Sequence, residues 1–196
     1  MGNQPTLDPK LTAVLARLCK RRGTLTKTQA AKLPYLVDVV AQHVLGRRIT
    51  AASHQNWRWG VVAAEVWHSV KPGTGIQPFF SIVEMPYSEG SVQISLLKEP
   101  AKVLEPEEAE IVDFVADEFG ALDYGKLGKL TKAMNLEVTD WGSNTPAKID
   151  EDAYIRLMGR WDTIFSRLEL CNTEDESNWQ ELTGASVEEL RKSLGV

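Results

Sequence analysis

The sequence predicts a mainly α fold: a compact single-domain helical bundle with one small β-hairpin. Apolar residues recur at three- and four-residue steps in successive stretches, which open on a capping residue or proline and often close on glycine. Only residues 79–97 show the apolar clustering around a central turn that marks paired strands. With 196 residues, 43% of them apolar, the chain can bury one substantial core. Residues 1–25 are expected to form an N-terminal helix packed on the domain. Residues 26–170 form the helical domain with a hairpin insertion near 76–98, and residues 171–196 an acidic tail with a short terminal helix.

Asp8 and Pro9 open the first helix as N-cap and first-turn proline, with Leu11, Val14, Leu15 and Leu18 on its apolar face. Lys20, Arg21 and Arg22 complement its dipole before Gly23 stops it. The densest stretch follows at residues 32–67. Thr26 and Gln29 make a capping box for a helix with Leu33, Val37, Val40, Ala41 and Val44 on one face, Asp38, Gln42 and His43 on others, and Gly46 as the stop. Beyond Arg47 and Arg48 an aromatic run, Trp57 and Trp59, closes on Gly60, and a second helix is expected from about Val61, burying Ala64, Trp67 and Val70.

The hairpin is predicted around Ser88, Glu89, Gly90 and Ser91, with Pro78 and Pro86 at strand ends or edges. Pro106 opens an acidic helix whose buried stripe is Ile111, Val112, Phe114, Val115 and Phe119, and a short helix follows over about 124–134. A last long helix is expected over about 150–168, carrying Tyr154, Leu157, Trp161, Ile164 and Leu168, with Ile155 and Met158 as a second buried stripe. Ser186 and Glu189 cap a small terminal helix.

The net charge of -5 is unevenly distributed: residues 1–72 hold 11 Lys/Arg against 3 Asp/Glu, residues 73–196 hold 11 against 24. Either the molecule has a basic and an acidic face, or the halves neutralise each other across the domain. No apolar run approaches the roughly 18 residues that span a bilayer, and the N-terminus lacks the apolar core of a signal peptide, so a cytoplasmic location is expected. Cys19 and Cys171 lack partner spacing and are expected to be idle thiols, not a disulfide or zinc site.

Lys32, Leu33, Tyr35, Leu36 and Asp38 spell a KLxYLxD helix; Gly46, Ile49 and Thr50 a G-x-x-I-T link; Trp57 and Gly60 an aromatic turn into a helix with Glu65 and Trp67. In this order the motifs resemble the SocA-like antitoxin family, whose domain is called Panacea. Residues 104–130 resemble that family's second half, an acidic helix followed by a short one, so the resemblance runs from about Thr26 to about Lys132. Pro34 stands where the family usually has leucine, and Val61 where it often has proline. The resemblance implies the antidote half of a toxin–antitoxin pair, encoded beside its toxin, which binds the toxin or delivers it to a protease.

His43, His54 and His68 lack catalytic or metal-binding spacing, and Glu65 with His68 makes a single Glu-x-x-His step where a di-iron bundle needs two. Residues 71–75, KPGTG, lack the spacing of a phosphate loop. An enzyme, a cofactor and a metal are therefore not expected. Arginine mixed with tryptophan is the combination of single-strand binders, but the negative net charge and a pI near 5.3 count against nucleic acid. At least two of Trp57, Trp59 and Trp67 are expected in the core, with Arg58 pointing away from its tryptophan neighbours in an extended segment. The expected function is neutralisation of a cognate toxin by direct contact through Arg47, Arg48, Trp57, Arg58, Trp59 and the hairpin tip at Glu89. A nucleic-acid-binding regulator and a phage-associated proteolytic adaptor are the alternatives.

Overall fold

The structure, a computed structural model, describes residues 7–71, 78–85, 91–101, 103–135 and 144–159. The chain divides into two units, Met1–Gly159 and Arg160–Val196, and all described residues belong to the first. Glu89, the acidic tail and the part of the predicted last helix beyond residue 159 lie outside them.

Helix α1 (Pro9–Arg22) begins as its sequence requires: the Asp8 carboxylate accepts from the Leu11 amide at 3.0 Å, and Pro9 sits where no amide bond is lost. Gly23 ends it at φ 80°, and strand β1 (Thr24–Thr26) follows. Helix α2 (Lys27–Leu45) starts in the predicted capping box and stops at a left-handed Gly46. It runs through Pro34 without ending. One apolar face was predicted, yet every residue from Ala30 to Ala41 is buried. Helices α1, α3, α4, α5 and α6 and strands β1, β3 and β5, whose ranges follow where not yet given, all pack against it, so α2 is the axis of the domain.

The other described elements follow along the chain. Strands β2 (His54–Trp57) and β3 (Gly60–Ala63) form a tight antiparallel hairpin, and α3 (Ala64–Ser69) follows directly. Strands β4 (Phe80–Glu84) and β5 (Val92–Leu96) pair antiparallel as predicted, with Ile82 opposite Ile94. Helices α4 (Pro106–Phe119) and α5 (Tyr124–Ala133) come next, then β6 (Thr145–Pro146) and α6 (Glu151–Gly159).

The helical bundle with one hairpin is overturned: among the described residues there are two three-stranded antiparallel sheets, ordered β1-β5-β4 and β3-β2-β6, and the fold is mixed α/β. Two local reasons account for the error. Thr24 to Thr26, taken as the passage between two helices, is β-branched on both sides of a buried Leu25 and pairs with β5. Val61 and Val62, taken as the start of a helix, follow a glycine at φ 95°, which turns the chain back on β2 and delays the helix to Ala64. Other expectations also fail locally. Phe114 is only half-buried, and Ile155 and Met158 are exposed.

Gly60 is where the second hairpin meets α5. A Cβ there would collide with Thr131 Oγ1 and stand 2.7 Å from the Gly128 carbonyl oxygen, at a φ that side chains rarely adopt. Gly60→Ala is expected to cost about 2 kcal/mol or more, read as a lower urea midpoint; an unchanged midpoint would show that the turn relaxes freely.

Candidate functional site

The polar residues of the KLxYLxD motif, Lys32, Tyr35 and Asp38, lie three residues apart and so share one flank of α2. All three are buried, and each binds a different segment downstream. Asp38 holds the link after α2. Its Oδ1 accepts from the amides of Ile49 and Thr50, both at 2.9 Å, and its Oδ2 from the Thr50 hydroxyl at 2.5 Å and His54 Nε2 at 2.8 Å. The Arg48 guanidinium stands 3.4 Å away and also donates to the Ala52 carbonyl. Burial alone would raise the Asp38 carboxyl; the hydrogen bonds and charge of His54 and the bonds from Thr50 outweigh it and hold the group below the usual carboxylate range.

Asp, His and Thr together invite comparison with a nucleophilic triad, but the geometry differs. Thr50 donates to Asp38 and not to His54, so the hydroxyl has no base. Because the carboxylate only accepts, His54 Nε2 donates to it, and the buried Nδ1 has no hydrogen-bond partner among the described residues. The Tyr35 ring meets the imidazole edge-on at 5.4 Å.

Lys32 holds the second hairpin. Its ammonium nitrogen donates to the carbonyls of Trp59 at 2.6 Å and Val61 at 3.1 Å, while Thr131 Oγ1 accepts from the Val61 amide. Burial, with a smaller push from Lys132, lowers its pKa to about 7. Tyr35 holds the far end: its hydroxyl donates to the Lys148 carbonyl at 3.0 Å and accepts from Asn135 Nδ2, whose Oδ1 accepts from the Lys148 amide. Burial pushes the Tyr35 hydroxyl pKa up. The apolar motif residues Leu33 and Leu36 are in the core, as is Ile49. Glu65 on α3 accepts the Ser53 amide through both oxygens.

The residues expected to meet a partner are divided by the structure. Arg47 pairs at 2.7 Å with Glu108, a fully buried carboxylate that also takes Lys10 at 2.6 Å and the Glu105 amide. Burial opposes ionisation of Glu108, but Lys10 and Arg47 outweigh it and keep its pKa below the ordinary range. Arg48 is committed to Asp38 and Ala52. Arg58 and Trp59 form the turn between β2 and β3, and both are exposed, Trp59 to 58%. Trp57 and Trp67 are half-buried and meet edge-on at 5.7 Å, so none of the three tryptophans is fully in the core. Nor does Arg58 point away from its neighbours: the chain turns there, and the guanidinium lies over the Trp59 ring at 4.9 Å.

His54, Asn135, Thr131, Glu108 and Lys10 escaped the sequence reading as members of these clusters. The contacts that place them there, His54 to Asp38, Asn135 to Tyr35, Thr131 to Val61 and Lys10 to Glu108, span 16 to 100 residues, so no short spacing marks them. Cys19 is buried, its thiol pushed up to about 12 by burial. Among the described residues, no cluster of His, Cys, Asp or Glu is placed to hold a metal ion, and no helix is long and apolar enough to cross a membrane.

Fold and site together define a mixed α/β domain built on a buried helix whose polar motif ties three downstream segments to one axis. The chain belongs to the SocA-like antitoxin family: the model of the family's Panacea domain matches residues 31–136, just over half of the chain and the span that includes all three ties from α2 except the contacts at Lys148. Membership points to an antitoxin role and, in general terms, to a toxin as partner. No curated protein and no solved structure matches the chain.

Asp38→Ala would leave two amides, an imidazole and a guanidinium without their acceptor, and is expected to cost about 3–5 kcal/mol, read by urea denaturation; a loss under about 1 kcal/mol would mean that water replaces the carboxylate. The Lys32 effect has the opposite relation to pH from a paired lysine. Its folded pKa of about 7 lies below the ordinary 10.5, so between those values the unfolded chain binds more protons and stability rises with pH. Lys32→Met is expected to flatten that rise when urea midpoints at pH 7 and pH 9.5 are compared; an unaltered slope would assign it to other groups.

Proposed function

We propose that the protein neutralises a cognate toxin, encoded by a neighbouring gene, through direct protein–protein contact and without catalysis. The observation that carries this reading, beside family membership, is the division of the arginines. Arg47 and Arg48 are engaged by internal carboxylates, whereas the Arg58–Trp59 turn projects a guanidinium that meets no carboxylate among the described residues and a large apolar ring. Arginine and tryptophan are the residue types that most often dominate binding energy at protein interfaces. Such contact needs a shaped surface held on a rigid support, and the Lys32 tie to the carbonyls flanking Gly60 supplies one.

The test is co-expression with the adjacent open reading frame. The neighbour expressed alone is expected to arrest growth; with this protein, growth returns, the two co-purify, and the neighbour's level stays constant. A harmless neighbour that fails to co-purify would remove the proposal. Rescue accompanied by disappearance of the neighbour would replace blocking with delivery to a protease.

A further inference from the structure

The charges of the first half of the chain can be followed to their partners. Lys10, Arg17 and Arg21 on α1 pair with Glu108, Asp113 and Asp117 on α4, and Lys20 pairs with Glu99. Arg47 and Arg48 are paired as described, and Arg22 lies beside Asp117. Lys27 and Arg58 differ: among the described residues neither meets a carboxylate, and each lies over an indole, Lys27 over Trp67 at 4.4 Å and Arg58 over Trp59 at 4.9 Å. Trp57 connects the two, adjoining Arg58 in sequence and touching both Trp67 and His68.

Both cations also stand near others of the same sign. Lys71 is close enough to Lys27, and Arg58 to Lys132, to add to the burial that lowers the pKa of Lys27 and of Lys132. Glu65, the acidic residue of α3, is turned to the Ser53 amide. The area is therefore aromatic and partly desolvated, and it holds two cations, Lys27 and Arg58, that meet no carboxylate among the described residues.

We propose that Lys27, Trp57, Arg58, Trp59 and Trp67 form one docking surface for an acidic segment of the toxin, with carboxylates meeting the two cations and an apolar side chain packing against the indoles. Charge complementarity selects this occupant. A single-stranded nucleic acid is the weaker fit for a chain with a net charge of -5 and a pI near 5.3. The inference rests on the neutralisation reading above and names the partner chemistry of that contact.

The probe is the neighbouring gene's product, titrated at 50 and 500 mM salt against wild type and against Lys27→Glu, Arg58→Glu, their double variant, Trp59→Ala and a control, Lys98→Glu. Each reversal is expected to weaken binding about tenfold at low salt and the double variant about a hundredfold, with the differences shrinking at high salt. Trp59→Ala weakens binding about tenfold at both salts, and Lys98→Glu leaves it unchanged. Melting temperatures stay within a degree or two of wild type, since glutamate suits the first turn of α2 and position 58 is an exposed turn. If wild type binds and rescues growth but the double variant binds equally well, the surface is wrong while neutralisation stands. If wild type neither binds nor rescues, both fall. Binding of oligo(dT) by wild type that the double variant loses would overturn the acidic partner in favour of nucleic acid.

Discussion

A carboxylate sealed from water must find its donors within the protein, and Asp38 finds them in a segment that has no regular structure of its own. Residues 46–53 contain neither helix nor strand, so their path is set by the two amides, the hydroxyl and the imidazole drawn to one side chain. That path decides where β2 starts, hence where the β2–β3 turn emerges and where α3 begins. Lys32, two turns earlier on the same flank, receives the turn by binding the carbonyls on both sides of Gly60. The two residues act in sequence on one piece of chain, so an error at the first would misplace what the second must hold.

The ladder between α1 and α4 has a different energetic character. Arg17 to Asp113 and Arg21 to Asp117 are partly exposed bidentate pairs, worth little individually because water competes for both partners. Glu108 is the exception. Its side chain is buried, and it is held by Lys10 from α1, by Arg47 just beyond α2 and by the backbone at the start of its own helix. It therefore joins α1, α4 and the segment after α2 at one carboxylate, and removing either cation would leave the buried charge undercompensated. Among the described residues, Lys10, Arg17, Lys20, Arg21 and Arg47 of the basic half are neutralised by carboxylates of the acidic half, whereas Lys27 and Arg58 meet none.

Legibility followed the range of the interactions. The caps at Asp8, Thr26 and Gly46 involve residues up to four apart, and the helices they bound lie where the sequence places them. The β4–β5 hairpin was legible for the same reason. Sheet membership was not: Thr24 to Thr26 becomes a strand only because β5 arrives from some 70 residues away, and β6 exists only because residues 145 and 146 reach Asn56 and Gln55. The KLxYLxD motif was visible as a pattern, but its polar members could be assigned no work, since periodicity places Asp38 away from the apolar face and says nothing about a buried partner such as His54. Periodicity also failed for α2 because a helix enclosed on all sides has no face to reveal.

These differences bear on how the Arg47 to Trp59 segment can be probed. Reversing Arg47 or Arg48 would place a negative charge against Glu108 or Asp38, both sealed and already negative, so lost binding in such a variant would report a damaged fold and not a damaged contact. Among the described residues Arg58 has no such internal partner, and its stacking on Trp59 is a surface interaction worth on the order of 0.5–1 kcal/mol. The polar residues of the KLxYLxD motif and the exposed pair Arg58 and Trp59 are thus different sets on this chain: the first are buried on α2, the second lie on the turn that α2 holds in place. A domain divided in this way can change its exposed turn without disturbing Lys32, Tyr35 or Asp38, because the tie at Gly60 is made to backbone carbonyls, which every residue possesses.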